Sequence, residues 1–181
     1  MPIPPPRLRG YFAIGAEGIS KTVNFGNLAR AANAFGASFV FLVDPDVRLR
    51  DALATDTSGV AGRLPVYHHR SVEALILPRG CELVGVGLLD DAVDLPSFRH
   101  PSCAAYVFGP ERSSLSPAMR ARCRHIVRIP TRFCVNLAIA GAIVMYDRML
   151  VHGRFAPRPV HSGGPDQPLL PHVHGGPVLR R

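Results

Sequence analysis

The sequence lacks a long hydrophobic run. Its longest apolar stretch, residues 137–145, falls well short of the roughly 20 residues that a helix needs to cross a bilayer. The opening residues, MPIPPPRLRG, contain no apolar segment of the kind that a secretory signal requires. We therefore expect a cytoplasmic protein that makes no contact with a membrane.

Cysteine is scarce, and its spacing argues against disulfides and metal sites. The four cysteines lie far apart and form no CxxC pair, so we expect reduced thiols rather than disulfides or a zinc site. His172 and His174 form an HxH pair, but the segment around them offers no fixed scaffold for a transition metal. No bound metal is therefore expected.

Lysine is almost absent, whereas arginine is abundant. Lys21 is the only lysine among the 21 Lys and Arg residues, and the formal net charge is +8. Arginine is the side chain best suited to paired contacts with phosphate, so a polyanionic partner is favoured. Genome composition explains the same bias equally well, and charge alone therefore does not decide the function.

Short apolar segments alternate with helical ones along the chain. Five runs of strand length occur at 11–14, 39–43, 83–88, 104–108 and 126–129. Segments of helical character occur at 26–35, 71–77, 116–123 and 134–150. Ser116 is the expected N-cap of the third of these, with Pro117 following it. The alternation predicts a single α/β domain with a mostly parallel sheet and helices on both faces.

Composition also predicts the limits of the domain. We expect a proline-rich arm at 1–10, the folded domain at 11–154 and a disordered tail rich in proline, glycine and histidine at 155–181. The helix that follows Cys134 is apolar almost all round, so it needs cover from its own domain or from a second copy. A homodimer is therefore expected.

Two nucleotide-binding patterns are incomplete. Residues 15–22 read GAEGISKT, but Ser20 stands where a phosphate-binding loop requires its second glycine. A dinucleotide site would need G-x-G-x-x-G after the first strand, and neither Gly15 nor residues 85–87 complete it. Nucleoside triphosphate hydrolysis and hydride transfer are therefore disfavoured.

A string with two asparagines and an arginine opens the first helix. Residues 24–30 read NFGNLAR, and helix N-termini attract phosphates. Taken singly, Asn24 or Asn27 is explained as an N-cap and Arg30 as a surface residue. The whole string resembles N-x-G-N-x-x-R, the first motif of the SPOUT superfamily in its TrmH/SpoU branch.

Two later strings resemble the second and third motifs of the same branch. Residues 106–116, YVFGPERSSLS, are similar to a strand that runs into G-x-E-x-x-G-L, with Ser114 where glycine is usual. If that position needs a positive φ, serine is strained there. Residues 129–138, IPTRFCVNLA, resemble I-P-M/T followed by S-L-N, with Cys134 in place of serine. The chain is therefore identified as a member of this superfamily.

The resemblance implies a fold and a cofactor. Members of the superfamily thread their C-terminal segment through a loop to form a trefoil knot, and they bind S-adenosylmethionine at that knot. By the resemblance, the cofactor-binding residues are Val86, Gly87, Leu88, Gly109, Ile129, Cys134 and Asn136.

The resemblance also implies 2′-O-ribose methylation of RNA, with tRNA favoured and rRNA next. Arg30 would accept the proton of the ribose hydroxyl or steer the alkoxide by its charge. Asn24 would orient Arg30 or the substrate phosphate, and Glu111 would fix the loop of the second motif. Arg30, Arg112 and Arg132 would bind RNA. Six arginines form the expected electrostatic footprint: 112, 120, 122, 124, 128 and 132.

Two other functions stay open. Ser114 and Cys134 depart from the motifs, which suits a non-catalytic RNA-binding protein that kept the fold. The motif residues that remain intact argue against it: Asn24, Arg30, Glu111 and Asn136. A base-methylating enzyme is the other alternative, and Arg30 favours ribose over a ring nitrogen. Cys134 is interpreted as a residue that packs at the start of a helix rather than as a covalent nucleophile.

Overall fold

A sheet of seven strands organises the part of the chain that the computed structural model describes, residues 10–46, 64–111 and 113–165. The strands are β1 (Tyr11–Glu17), β2 (Phe39–Val43), β3 (Val66–His69), β4 (Glu82–Val86), β5 (Val93–Asp94), β6 (Cys103–Phe108) and β7 (His125–Arg128). The α-helices in these ranges are α1 (Thr22–Phe35), α2 (Pro117–Arg122) and α3 (Leu137–His152), and a 3₁₀ turn spans Leu95–Ser97.

All seven strands are parallel to their neighbours, in the order β3-β2-β1-β6-β4-β7-β5. Ile14, Val40 and Tyr106 lie side by side in register across the centre and point toward α1 and α3. The next residues on β1 and β2, such as Ala13 and Phe41, point to the opposite face, where α2 packs. The predicted α/β domain with helices on both faces is confirmed, and the knot stays a prediction.

Ser116 is the N-cap of α2, as predicted, since its hydroxyl accepts a hydrogen bond from the backbone nitrogen of Met119 at 3.1 Å. The prediction of a helix at 71–77 is wrong, since this segment consists of turns and irregular backbone. Arg122 donates hydrogen bonds to the carbonyl oxygens of Val72 and Leu75 and so satisfies backbone acceptors of this irregular segment. The edge strands β3 and β5 were not predicted.

Close packing of α1 against α3 positions the two helix starts that carry motif residues. Gly141 makes this contact possible, because a Cβ at this position would lie 2.5 Å from Cδ1 of Leu28 and 3.3 Å from Cδ1 of Ile14. Both of those side chains are fully buried, so they would have to shift within a packed core. The glycine therefore fixes how closely the two helices approach.

A buried polar cluster ties the far end of α3 to the amino-terminal edge of the sheet. The ring nitrogens of His100 lie 2.6 Å from the Tyr106 hydroxyl and 2.9 Å from the Asp147 carboxylate. Arg148 is fully buried and donates hydrogen bonds to the carbonyl oxygens of Tyr11, Pro101 and Ser102. Such groups are stable inside a protein only when they are hydrogen-bonded.

Acidification is expected to destabilise the fold through this cluster. Burial lowers the pKa of His100 and outweighs the opposing effect of Asp147, and burial also lowers the pKa of His152. The unfolded chain takes up these protons near pH 6.5, so the free energy of unfolding should fall as the pH drops through that value. Urea denaturation at about pH 8 and about pH 5 measures the difference. Equal free energies of unfolding at the two pH values would contradict this.

Candidate active site

A cavity of about 580 Å³ opens at the carboxyl ends of β4, β6 and β7. Gly87 follows the first of these strands, Gly109 the second and Ile129 the third, and Asn136 closes the cavity at the start of α3. Parallel α/β sheets bind their ligands at this edge. The volume lies within the range of about 300–1,000 Å³ that is typical of small-molecule sites.

The cavity gathers the residues that the motifs singled out for cofactor binding. All seven line it: Val86, Gly87, Leu88, Gly109, Ile129, Cys134 and Asn136. Asn24 and Glu111, expected as catalytic residues, line it as well. The motifs did not single out Lys21 and Ala140, which also line the cavity. Lys21 belongs to the incomplete phosphate-binding pattern at 15–22, and nothing in the sequence marks Ala140.

Glu111 caps the start of α1 from a distant part of the chain. Lys21 occupies the N-cap position of this helix, but its side chain makes no capping hydrogen bond. Instead, the backbone nitrogens of Ser20 and Lys21 each donate to the Glu111 carboxylate at 3.2 Å, and the Ser20 hydroxyl donates at 3.0 Å. Negative charge is favourable at a helix N-terminus, so this carboxylate fastens the second-motif loop to the first helix.

Asn24 and Asn136 extend this contact to the third motif. Asn24 is buried, and its Nδ2 donates to Oε1 of Glu111 at 2.9 Å. Its Oδ1 accepts from Nδ2 of Asn136 at 3.0 Å, and Oδ1 of Asn136 caps α3 by accepting from the backbone nitrogen of Ala138 at 2.9 Å. One chain of hydrogen bonds therefore joins all three motifs. The Asn24 side-chain amide, which was expected to orient Arg30 or a phosphate, is used in this chain.

The carboxylate of Glu111 is held in its ionised form. Burial on its own raises the pKa of Glu111, but hydrogen bonds from Asn24 and Ser20 outweigh burial and bring the pKa below its ordinary value. A carboxylate with such partners accepts hydrogen bonds permanently at neutral pH. Its chemistry is therefore that of a positioning group rather than of a proton donor.

Arg30 is not among the residues that line the cavity. Arg30 is exposed on α1, and within the described residues its guanidinium makes no hydrogen bond or ion pair. It shares a helix face with the exposed Val23 and Asn27, at spacings of seven and three residues. Arg132 is exposed in the loop that precedes α3, and Arg112 lies outside the described residues.

A match to the SpoU rRNA Methylase family covers residues 11–146, from the first residue of β1 to the middle of α3. The chain belongs to the SpoU rRNA methylase family. The match includes all three motifs and every residue of the hydrogen-bond chain that joins them.

This SpoU family chain is similar in sequence to a curated protein, the tRNA (cytidine/uridine-2′-O-)-methyltransferase TrmJ from Pectobacterium atrosepticum. The two are 30% identical over 152 residues, an alignment that covers 74% of this chain and 61% of the relative. The chain thus spans about three fifths of the length of that protein.

Solved structures share the fold of this SpoU family chain. One concerns the 2-OH methylation of C/U34 on tRNA; it is 23% identical, has a TM-score of 0.69 and is covered over 91% of its length and 78% of this chain. Another is the SpoU methyltransferase AviRb from Streptomyces viridochromogenes in complex with AdoMet, 23% identical with a TM-score of 0.69, covering 81% of this chain and 59% of AviRb.

The departure from the SpoU pattern at Ser114 carries no backbone strain. Among the described residues, Asp44 is the only one other than glycine with a positive φ. The demand for glycine falls on Gly109 instead, where a Cβ would lie 2.7 Å from the backbone nitrogen of Leu115 and 2.8 Å from the carbonyl carbon of Ser114. The second-motif loop therefore folds closely over Gly109 and accommodates serine.

Several arginines of the expected footprint are paired within this SpoU family chain. Arg120 contacts Asp91 at 3.5 Å, Arg124 contacts Glu82 at 3.1 Å and Arg128 contacts Asp94 at 2.6 Å. Arg122 and Arg124 lie beside Cys81 and Glu82, at the edge of the sheet opposite the cavity. These two arginines of the expected footprint therefore lie away from the cavity.

The described part of the chain contains no group of three or more His, Cys, Asp and Glu residues that would hold a metal ion. None of the helices found there has the length and hydropathy to cross a membrane. The HxH pair at His172 and His174 and most of the expected tail lie outside the described residues.

Proposed function

We propose that this chain is an S-adenosylmethionine-dependent RNA 2′-O-ribose methyltransferase that acts on tRNA, with rRNA as the second candidate substrate. The observation that carries the proposal is the cavity at the carboxyl edge of the sheet, because one cavity is lined by all seven expected cofactor residues. The similarity to a tRNA 2′-O-methyltransferase supports the choice of acceptor and substrate. The proposed setting is the cytoplasm, without a bound metal.

The cavity fits S-adenosylmethionine in size and in chemistry. Val86, Leu88 and Ile129 offer apolar surface to an adenine ring, and the close turn at Gly109 brings backbone groups to the ligand. Asn136 would hold the third-motif loop against the bound molecule through its hydrogen bond to Asn24. When bound, the cofactor supplies an activated methyl group.

Arg30 supplies the positive charge that the reaction needs at the ribose. A guanidinium binds phosphate oxygens in a fork and stabilises negative charge that develops on a nearby oxygen. Because arginine stays protonated at ordinary pH, charge stabilisation is the role favoured over proton acceptance. Glu111 is not the base, since its two oxygens already accept four hydrogen bonds from Ser20, Lys21 and Asn24.

A homodimer belongs to the proposal because an apolar groove between α1 and α3 lies open beside the site. Val23, Ile139 and Tyr146 line the groove and are 62%, 55% and 47% exposed. Asn24 and Asn136 lie at the same groove, so a second copy seated there would border the hydrogen-bond chain that joins the motifs. The face of α1 that carries Arg30 would then face the partner.

The substitution Ile139→Glu is expected to convert a dimer into a monomer, since it places a charge in the centre of the groove. Size-exclusion chromatography with light scattering measures the mass in solution. The matched control is Val160→Glu, at a position that is 98% exposed and outside the groove, and it should leave the dimer intact. A dimeric Ile139→Glu variant would show that the groove is not the interface.

Isothermal titration calorimetry with S-adenosylmethionine tests the proposed function against a non-catalytic RNA-binding protein. The enzyme must bind the cofactor, and Asn136→Ala should weaken that binding because the third-motif loop loses its tie to Asn24. A folded chain without measurable heat of binding would contradict the proposal. Exposed Asn33→Ala, at the far end of α1, is the matched control.

A further inference from the structure

Phe133 is exposed although phenylalanine is normally buried. Its side chain is 76% exposed, in the loop between β7 and α3. Thr131 and Cys134, on either side of it, line the cavity, whereas Phe133 itself lines neither the cavity nor the groove between α1 and α3. An aromatic ring therefore projects into solvent at the mouth of the site without contributing to the fold.

Hydrogen bonds hold the loop backbone on both sides of this ring. The Thr131 hydroxyl donates to the carbonyl oxygen of Phe133 at 2.9 Å, and the Thr131 backbone nitrogen donates to the carbonyl oxygen of Ile129 at 2.8 Å. Three residues beyond Phe133, the side chain of Asn136 is fixed by Asn24 at 3.0 Å. Because the backbone is already ordered, a ligand that contacts the ring has less conformational entropy to overcome.

The charge beside the ring favours a nucleic acid over a protein surface. Arg132 precedes Phe133 and is also exposed, in a chain whose formal net charge is +8. An aromatic side chain next to an arginine is the combination that stacks on an unpaired base and contacts the adjoining phosphate. Bases inside an A-form duplex present no open face to such a ring.

We propose that Phe133 stacks on an unpaired base of the RNA substrate, next to the ribose that faces the cavity, and that Arg132 contacts the adjoining phosphate. The proposal rests on the proposed function, since it takes RNA as the substrate of this site. It identifies the substrate class as a single-stranded or loop nucleotide rather than a nucleotide within a duplex.

The test measures binding of two fluorescein-labelled RNAs by fluorescence anisotropy: a hairpin with an unpaired loop, and a blunt duplex with the same stem sequence. Phe133→Ala should weaken hairpin binding roughly 5- to 150-fold, as expected for the loss of one stacked base. Phe133→Leu should lose a similar factor because it keeps apolar bulk without a ring, whereas Phe133→Trp should bind like the parent chain. Duplex binding should not change in any of the three.

Phe155 provides a matched control, since it is 47% exposed just beyond the opposite end of α3. Phe155→Ala should leave hairpin binding unchanged. Equal hairpin affinity in Phe133→Ala and the parent chain, or full affinity in Phe133→Leu, would overturn the proposal. So would a parent chain that does not bind the hairpin, or a change of oligomeric state in Phe133→Ala, which would make the ring a protein contact.

A methyl-transfer assay on the same samples separates this proposal from the proposed function. Ring-dependent hairpin binding without methylation by the parent chain would contradict the enzyme and keep the stacking contact. Methylation by the parent chain with unchanged KM for RNA in Phe133→Ala would keep the enzyme and remove the stacking contact. A rise in KM for RNA with little change in kcat is the result that fits both.

Discussion

Replacement of Arg30 by alanine is expected to lower kcat for methyl transfer about 100- to 1,000-fold, the range seen when a group that stabilises developing negative charge is lost. The fold should survive, because Arg30 is exposed and its guanidinium makes no hydrogen bond or ion pair within the described residues. The affinity for S-adenosylmethionine should also survive, because Arg30 does not line the cavity. Steady-state kinetics, urea denaturation and calorimetry measure these quantities.

Arg79→Ala is the matched control for this prediction. Arg79 is exposed and precedes β4, at the edge of the sheet opposite the cavity. Its loss removes the same charge from the chain without approaching the site, so kcat should stay near that of the parent. A fully active Arg30→Ala variant would remove Arg30 from the mechanism.

The second large effect is expected at Glu111, whose replacement by alanine should lower the free energy of unfolding by about 2–3 kcal/mol. The substitution removes the cap at the start of α1 and leaves the buried Nδ2 of Asn24 without the acceptor that lies at 2.9 Å. Activity should fall too, because α1 carries Arg30 and its start is then no longer held by the second-motif loop. Urea denaturation and kcat measure the two effects.

Glu111→Gln and Glu73→Ala complete this experiment. Glutamine keeps one acceptor oxygen but loses the charge that favours a helix N-terminus, so its loss of stability should be smaller than that of alanine. Glu73 is an exposed carboxylate away from the cavity, and a hydrogen bond from Ser71 lowers its pKa. Its replacement should cost less stability than that of Glu111, which accepts four hydrogen bonds. Stability of Glu111→Ala equal to that of the parent would show that the carboxylate does not hold the helix.

The pKa of Glu111 gives this stabilisation a pH dependence. Because the pKa is lowered in the folded chain, the contribution of Glu111 is complete above the ordinary pKa of a glutamate. This contribution to stability is lost as the pH falls through the lowered pKa that Glu111 has in the folded chain. The difference in stability between the parent chain and Glu111→Ala should therefore shrink under strongly acidic conditions and persist at neutral pH.

The central strands could be predicted from the sequence because burial on both faces leaves continuous apolar runs such as Phe39–Val43. The composition of the cavity could be predicted for a related reason. In a parallel sheet, the residues that follow the strands meet at one edge, so Gly87, Gly109 and Ile129 are brought together by topology.

Contacts between distant side chains could not be predicted in this way. Glu111 caps a helix that begins about ninety residues earlier, and Asn24 and Asn136 are 112 positions apart. The segment at 71–77, expected as a helix, is irregular backbone, and its carbonyl oxygens at Val72 and Leu75 accept hydrogen bonds from the distant Arg122. Tertiary structure brings these partners together, and the local sequence does not identify them.

The identity of the methylated product distinguishes the proposed 2′-O-methyltransferase from its alternatives. The chain is incubated with radiolabelled S-adenosylmethionine and separate pools of unmodified tRNA and rRNA, and the labelled RNA is digested to nucleosides for mass spectrometry. A 2′-O-methylated nucleoside from the tRNA pool is the result that the proposed function predicts. A base-methylated nucleoside, or no label in any pool from a chain that binds S-adenosylmethionine, would contradict it.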